Sequence, residues 1–467
     1  QNINVEESLE RVRDLIRGNP DLSAEVRSSL ELMMLLVTLL VDRLGLSSRN
    51  SSKPPSADPH RVRTPRGGTG RKPGGQTGHA GTTLRPVDEP DEIIRLPLDR
   101  STLPPGEYTL AGHEKRQVFD LDISLVVTEY QAEILSDARG RRFTAPFPPG
   151  VGQAVQYGSG VKSQAVYMSA FQLIPCRRAA EHFRDQLRLP VSPGTICNFK
   201  EEAFAQLAVF EDWCKEELAR APLLHADETG INVDGKTQWL HLLSTDRLTF
   251  YFPHRNRGWA AQEDAGILPE YRNTLCHDYW KPYFRCRGRH ALCNAHHLRE
   301  LERAVEQDGQ QWAKAMAGLL LEIRESVNQA GGCVPGEAAR QYRQRFRDLL
   351  AAAEAECPAP AAEGKNGRRG RQARSKSRNL LERLQRHEED VLRFMTEPLV
   401  PFSNNQAEND LRMTKLHQKI SGCFRSFEGA KIFCRIRSYL STCRKRGVPA
   451  SEALRLLFDG KRPGFMP

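Results

Sequence analysis

The stretch L-L-H-A-D-E-T-G-I-N-V-D-G-K-T-Q-W-L-H-L-L-S, Leu223 to Ser244, decides the fold. Leu223 to Val233 reads as a strand, Asp234-Gly235 as a two-residue hairpin turn, and Trp239 to Ser244 as the returning strand. Downstream, Thr245 to Arg247 turns again and L-T-F-Y-F (Leu248 to Phe252) makes a third strand. A helix covers Trp259 to Ala265 and ends at Gly266. T-L-C-H-D-Y-W (Thr274 to Trp280) reads as a fourth strand and H-A-L-C-N-A (His290 to Ala295) as a fifth.

Three antiparallel strands, a helix, then two more strands alternating with helices is the ribonuclease-H-like order. The expected fold class is therefore mixed α/β and multidomain. It has a ribonuclease-H-like core with a helical insertion, a helical N-terminal segment and a small β-rich module. In such a sheet the first and fourth strands lie side by side. An acid on each can meet at one place, with a third supplied by a later helix.

The sequence offers acids there. Asp227 sits in A-D-E-T-G on the first strand, and Asp278 in L-C-H-D-Y-W late in the fourth. Both interrupt stretches that read as buried, where an acid is costly unless paired or bound to metal. Glu408 lies in S-N-N-Q-A-E-N-D-L-R-M, where Ser403 or Asn404 can cap the helix that carries it. Any one of these acids alone could be a capped turn or a surface carboxylate. Three in matching places point to metal chemistry. Phosphodiester transfer without a covalent intermediate uses two metal ions about 4 Å apart. Mg²⁺, with Mn²⁺ as a substitute, takes carboxylate oxygens from separate elements. Asp227, Asp278 and Glu408 are thus the expected catalytic and metal-binding residues. Glu228 should face away from Asp227 by strand alternation, and Asp410 lies about 200° around the helix from Glu408.

Other nearby groups carry two readings each. Cys293, His296 and His297 form C-x-x-H-H, but with no second pair at metal spacing zinc is not expected, and strand and helix-start roles fit better. His277 should turn away from the metals. His225 shares Asp227's face, for substrate contact or for the core. Trp280 and Tyr283 could stack on an unpaired base or pack in the core. Arg412, Lys415 and Lys419 recur at helical spacing from Glu408, followed by Arg425. They form either a phosphate-gripping stripe or a solvated basic face, and their continuity with Glu408 favours the first.

Working outward, the organisation has seven parts. Residues 1–46 are helical, with a break at Asn19-Pro20, and Leu30 to Leu40 is apolar almost all round, which suggests helix pairing. Residues 47–88 are Pro/Gly-rich and basic, either a DNA-binding arm (Lys53, Arg71, Lys72) or a plain linker. No acid follows Asp58 within the basic stretch to His79, which favours the arm. Residues 89–150 form the β-rich module, with strands expected across Val118 to Tyr130. Residues 151–220 have helix-turn-helix outlines, with an ordinary helical hairpin as the alternative. Residues 221–300 begin the core, 301–400 are the insertion, and 401–467 carry the third acid. The insertion holds the basic run Asn366 to Arg378, read as a DNA-facing loop through Arg369 and Arg371 or as a solvated one.

The chain has 467 residues, a formal net charge of +10, a pI near 9.1 and mean hydropathy of −0.56. The excess of positive charge leans toward a polyanionic partner. Its most apolar run, Leu32 to Val41, is roughly half a membrane span, and no secretory signal is visible. All eleven cysteines lie at or after Cys176, none in C-x-x-C, which suits a reduced cytoplasmic protein. Nucleoid association would follow from DNA binding.

These strings resemble the insertion-sequence-66 family of bacterial transposases. The resemblance rests on Ser51 to Asp58, Arg71 to His79, Asp227 to Gly230, His290 to Leu301, Ser403 to Lys415, Lys419 to Ser426 and Arg435 to Thr442. It implies a DDE transposase that cleaves insertion-element ends and joins them to target DNA, with the acids on Asp227, Asp278 and Glu408. It also implies double-stranded DNA partners (terminal inverted repeats and target) and accessory transposition proteins. The apolar Leu32 to Val41 helix and the need to hold two DNA ends suggest a homodimer or larger assembly, and the shortness of that run leaves no membrane partner expected. The alternative is a catalytically silent DNA-binding repressor or structural protein. Family members commonly carry a cysteine-rich zinc module after the basic arm. This chain has no cysteine from Gln1 to Pro175, so its β-rich module is expected to rest on an apolar core alone.

Overall fold

The computed structural model describes residues 5–19, 21–44, 50, 84–359 and 374–467. They fall into two compact units, one drawn from 1–61, 150–184 and 190–467, the other from 62–149 and 185–189. The basic-arm residues Lys53, Arg71 and Lys72, and Arg369 and Arg371 of the basic run, lie outside the described residues.

Helices α1 (Val5–Gly18) and α2 (Ala24–Leu44) form on either side of the expected break. Leu32, Met33, Leu36, Leu39 and Leu40 of α2 are all exposed.

The second unit departs from expectation. Its described strands are a short hairpin, β1 (Ile134–Ser136) and β2 (Arg142–Thr144), whose turn is held by Asp137 accepting the N–H groups of Arg139 and Arg141. No strand forms across Val118 to Tyr130, and no described residue between 84 and 149 is buried. Val118, Leu121, Val126 and Val127 stand exposed. Alternation makes a strand only when its apolar face has a surface to cover, and the described residues of this unit supply none. Among the described residues of this unit the expected apolar core does not form.

Helices α3 (Ser159–Val166), α4 (Cys176–Leu187), α5 (Pro193–Gln206) and α6 (Ala208–Arg220) follow. The S-P-G-T signal starts α5 as expected: Ser192 accepts the N–H of Thr195 and Pro193 occupies the first turn.

The central sheet comprises β3 (Leu223–Val233), β4 (Lys236–Ser244), β5 (Thr249–His254), β6 (Thr274–His277) and β7 (Arg289–Leu292), in the order β5-β4-β3-β6-β7. The first three strands are antiparallel, and β6 and β7 join in parallel. Asp234 and Gly235 both take positive φ, 50° and 73°, as a two-residue hairpin with strand-matching twist needs. Helix α7 (Trp259–Ala265) ends at Gly266 in the left-handed conformation. The fourth strand stops at His277 rather than Trp280, where the chain turns into a short 3-10 segment at Lys281–Arg285. The fifth stops at Leu292, because Cys293 already caps the next helix. At the start of β7 a Cβ on Gly288 would lie 2.2 Å from the carbonyl oxygen of Asn273.

The insertion is helical: α8 (Asn294–Asp308), α9 (Gln311–Gln329), α10 (Gly336–Glu356), α11 (Lys376–Arg386) and α12 (Glu388–Leu392). Met316, Leu320, Phe346, Leu381 and Met395 share a buried core with Cys276 and Leu292 of the sheet. Arg378, at the end of the basic run, is buried against Glu354 and Glu382 and so does not face DNA.

The chain then returns as α13 (Asn405–Ser421), α14 (Phe427–Lys445) and α15 (Ala450–Phe458). Ala407, Leu411 and Phe433 cover one face of the sheet at Ile231, Val233, Leu240 and Leu242. Helix α14 also closes the β5 edge: Ser438 and Thr442 accept the free N–H groups of Tyr251 and Thr249 at 2.8 and 3.0 Å.

Candidate active site

The site is built at the meeting of β3, β6 and the start of α13. The parallel register pairs Leu223 with Thr274, Leu224 with Leu275 and His225 with Cys276. Continued two residues, it sets Asp227 beside Asp278, the first residue past β6. Asp227 accepts the N–H of Glu228 at 2.8 Å, and Asp278 accepts that of Trp280 at 3.0 Å. The two carboxylates are thus presented from adjacent strands with their own backbones bracing them.

Glu408 reaches the sheet through Asn404. The Asn404 side chain donates to the carbonyl oxygen of Ala226 at 2.9 Å and meets His225 Nδ1 at 2.8 Å. Its N–H donates to Cys293 Sγ at 3.1 Å. Asn404 does stand at the helix start, but its side chain makes no capping bond there. It is spent on β3 instead, and pins the first turn of α13 next to Asp227. His225 is accordingly a buried positioning group for this link.

The electrostatics bear the same stamp. Partial burial, then the charges of Glu228, Asp278 and Glu408, push the Asp227 carboxyl up to about 8, against the N–H of Glu228. Asp227 therefore feels three neighbouring carboxylates in addition to its burial. Glu228 lies on the opposite face, as alternation required. Its side chain is 2% exposed, paired with Arg257 at 2.8 Å and accepting from Tyr283 at 2.6 Å. Burial and the charge of Asp278 raise its pKa, against Tyr283 and Arg257. Asp410 is likewise elsewhere, paired with Lys445 at 2.7 Å.

The aromatic candidates resolve toward packing. Tyr283 is buried and committed to Glu228, so it cannot stack on a base. The ring of Trp280 is covered by the Arg257 guanidinium, 3.8 Å from its centroid. His277 is buried beside His290, and burial holds it down at about 3; His297 is buried against Asn294. Arg412, Lys415 and Lys419 are exposed along α13, and Arg425 just after it.

The sequence reading missed four contacts to these acids. Arg257 and Tyr283 hold Glu228 from separate segments, and no local pattern marks such a contact. His296 Nδ1 lies 3.9 Å from Glu408 Oε1, and Arg299 Nη2 lies 3.9 Å from Glu408 Oε2. Cys293, His296 and Glu408 bring their ligand atoms within 4.8 Å of one another. The C-x-x-H spacing was visible, but its third member was not.

A family model described as Transposase IS66 family matches residues 154–432. The chain belongs to the IS66 transposase family. The match runs from α3 into α14 and takes in all three expected acids. Residues 1–85 match a family of unknown function, DUF6444. The chain is also 26% identical over 178 residues to the uncharacterized protein y4jO of Sinorhizobium fredii (strain NBRC 101917 / NGR234). That stretch is 37% of this chain and 50% of the relative, so the chain spans about half the relative's length. Among the described residues no helix is long and apolar enough to cross a membrane.

Proposed function

We propose that this protein is a DDE-type DNA transposase with a ribonuclease-H-like core. It would cleave insertion-element ends and join them to target DNA at Asp227, Asp278 and Glu408. The observation that carries the reading is the shared placement of these acids. Two are presented from adjacent parallel strands, and the third comes on a helix pinned by Asn404 to the strand that bears the first. The strand order β5-β4-β3-β6-β7 supports the ribonuclease-H-like reading.

The donor chemistry fits Mg²⁺ or Mn²⁺: hard carboxylate oxygens, with Asp227 driven toward its neutral form by burial and then by neighbouring negative charge, which a cation would offset. Asp227, Asp278 and Glu408 would hold the ions. Two such ions, when bound, activate the attacking water or 3′-hydroxyl and stabilise the leaving oxygen. The protein's own share is positioning. Asn404 and His225 fix the approach of Glu408, and the paired Glu228 stays out of the ligand set. Arg412, Lys415, Lys419 and Arg425 would grip phosphates of the strand being cut.

Holding two DNA ends calls for at least two copies, and α2 offers the pairing surface, since its apolar side chains are exposed on several sides. Leu36→Glu with Leu40→Glu is expected to lower the assembly state in analytical ultracentrifugation; an unchanged state would remove α2 from this role. For the activity, terminal-repeat DNA incubated with Mg²⁺ or Mn²⁺ is expected to be nicked and joined by the wild type. Asp227→Ala is expected to lose both steps while still binding DNA. Binding by the wild type without any metal-dependent nicking would instead mark a silent DNA-binding protein.

A further inference from the structure

His296 Nδ1 and Glu408 Oε1 are both shielded from solvent, and neither has a hydrogen-bond partner among the described residues. Buried polar atoms are rarely left so, and each such atom costs about 1–3 kcal/mol. At 3.9 Å they are too far apart to satisfy one another. Cys293 Sγ completes a set in which all three atoms lie within 4.8 Å. The elements fix this arrangement. Cys293 caps α8, and His296 sits one turn later on the same helix. Glu408 is in the first turn of α13, whose start donates the Asn404 N–H to the same sulfur.

We propose that Cys293, His296 and Glu408 form a three-ligand site for a borderline-soft divalent ion, Zn²⁺ by preference, beside the hard carboxylate pair Asp227 and Asp278. One sulfur, one imidazole nitrogen and one carboxylate oxygen is a donor set that suits zinc and does not suit magnesium. Ligand atoms about 2.1 Å from a shared zinc lie about 3.4 Å apart at the tetrahedral angle. The 3.9 Å between His296 Nδ1 and Glu408 Oε1 therefore closes by about a quarter of an ångström per group, and even a 4.8 Å separation closes by about 0.7 Å per group. Binding releases the Cys293 thiol proton to solvent and leaves the thiolate on the metal. The ion would lock Oε1 of Glu408 and set the direction of its other oxygen, beside which Arg299 lies. Helix α8 would thereby be fastened to α13 at the active site. The inference rests on the proposed function only through Glu408.

Co²⁺ is the probe, because a thiolate ligand adds a sulfur-to-metal absorption band that oxygen sites lack. The full-length wild type is expected to bind one equivalent per chain with that band, and Zn²⁺ is expected to displace it. Cys293→Ser should lose the band, and His296→Gln should weaken cobalt affinity about ten-fold or more. Asp227→Ala should keep the band while losing Mg²⁺-dependent nicking. X-ray absorption of the Zn²⁺-loaded wild type should show one sulfur in a shell otherwise of nitrogen and oxygen, which needs no variant to fold. No sulfur in that shell, or a cobalt band that survives Cys293→Ser, overturns the proposal. Wild-type nicking with Mg²⁺ but no such site would sink this inference alone. The site without nicking would sink the transposition reading alone.

Discussion

Asp227→Asn isolates what the carboxylate cluster costs the folded protein. In the fold this carboxyl is raised from 3.8 to about 8, first by burial and then by Glu228, Asp278 and Glu408. A raised acid contributes its full stability below the unfolded pKa and loses it as pH climbs through the folded one. The window is therefore about pH 4 to 8. At pH 7 the chain has crossed roughly 3 units of it, which at about 1.4 kcal/mol per unit amounts to about 4 kcal/mol. Asp227 keeps some solvent access, so about 2 kcal/mol is the lower expectation. Asparagine keeps an oxygen for the Glu228 N–H and carries no charge. Urea unfolding in chelator should therefore show the variant about 2–4 kcal/mol more stable than wild type at pH 7, with the gap closing by pH 4. Millimolar Mg²⁺ should narrow the gap at pH 8, because the wild type gains more from binding it than the variant does. Equal stability at pH 7 and pH 4 without metal would refute the crowding argument.

Further expectations follow from the surface and the sheet. Replacing Arg412, Lys415 and Lys419 singly by alanine should weaken binding to all DNA sequences alike, and each should reduce the salt slope of affinity by about 1. Unchanged slopes in filter binding would make this a solvated face. Gly288→Ala drives a Cβ to within 2.2 Å of the Asn273 carbonyl, so the start of β7 must shift. A loss of about 1–3 kcal/mol in urea unfolding is expected, and an unmoved midpoint would show that the Asn273 loop yields freely.

Much of the core was legible because its signals are local. Leu223–Val233 is a strand by composition, the Asp234-Gly235 turn by backbone chemistry, and α7 by its closing glycine. The Glu228 and Asp410 assignments also held, since strand and helix periods alone decide which way those side chains point. The Val118 to Tyr130 reading failed on the same kind of signal. Alternation records which side chains could share a face and says nothing of whether a partner surface exists. For Tyr283 the sequence left base stacking and a core role open, and the choice fell to the core because a buried carboxylate claims its hydroxyl.

The three acids show where the boundary lies. From the sequence, Asp227 falls on the first strand and Asp278 late in the fourth, with those strands expected side by side, because strand period is written in short stretches. The register that sets them level comes from the β3–β6 pairing. The sequence by itself also determined that Glu408 opens a helix with a basic stripe behind it. Only the tertiary structure decided how that helix meets the sheet. Asn404 reaches β3 after the whole helical insertion has intervened, and the same approach carries Glu408 to Cys293 and His296. Contacts of that range depend on the path of the chain through a packed core, which no local pattern encodes.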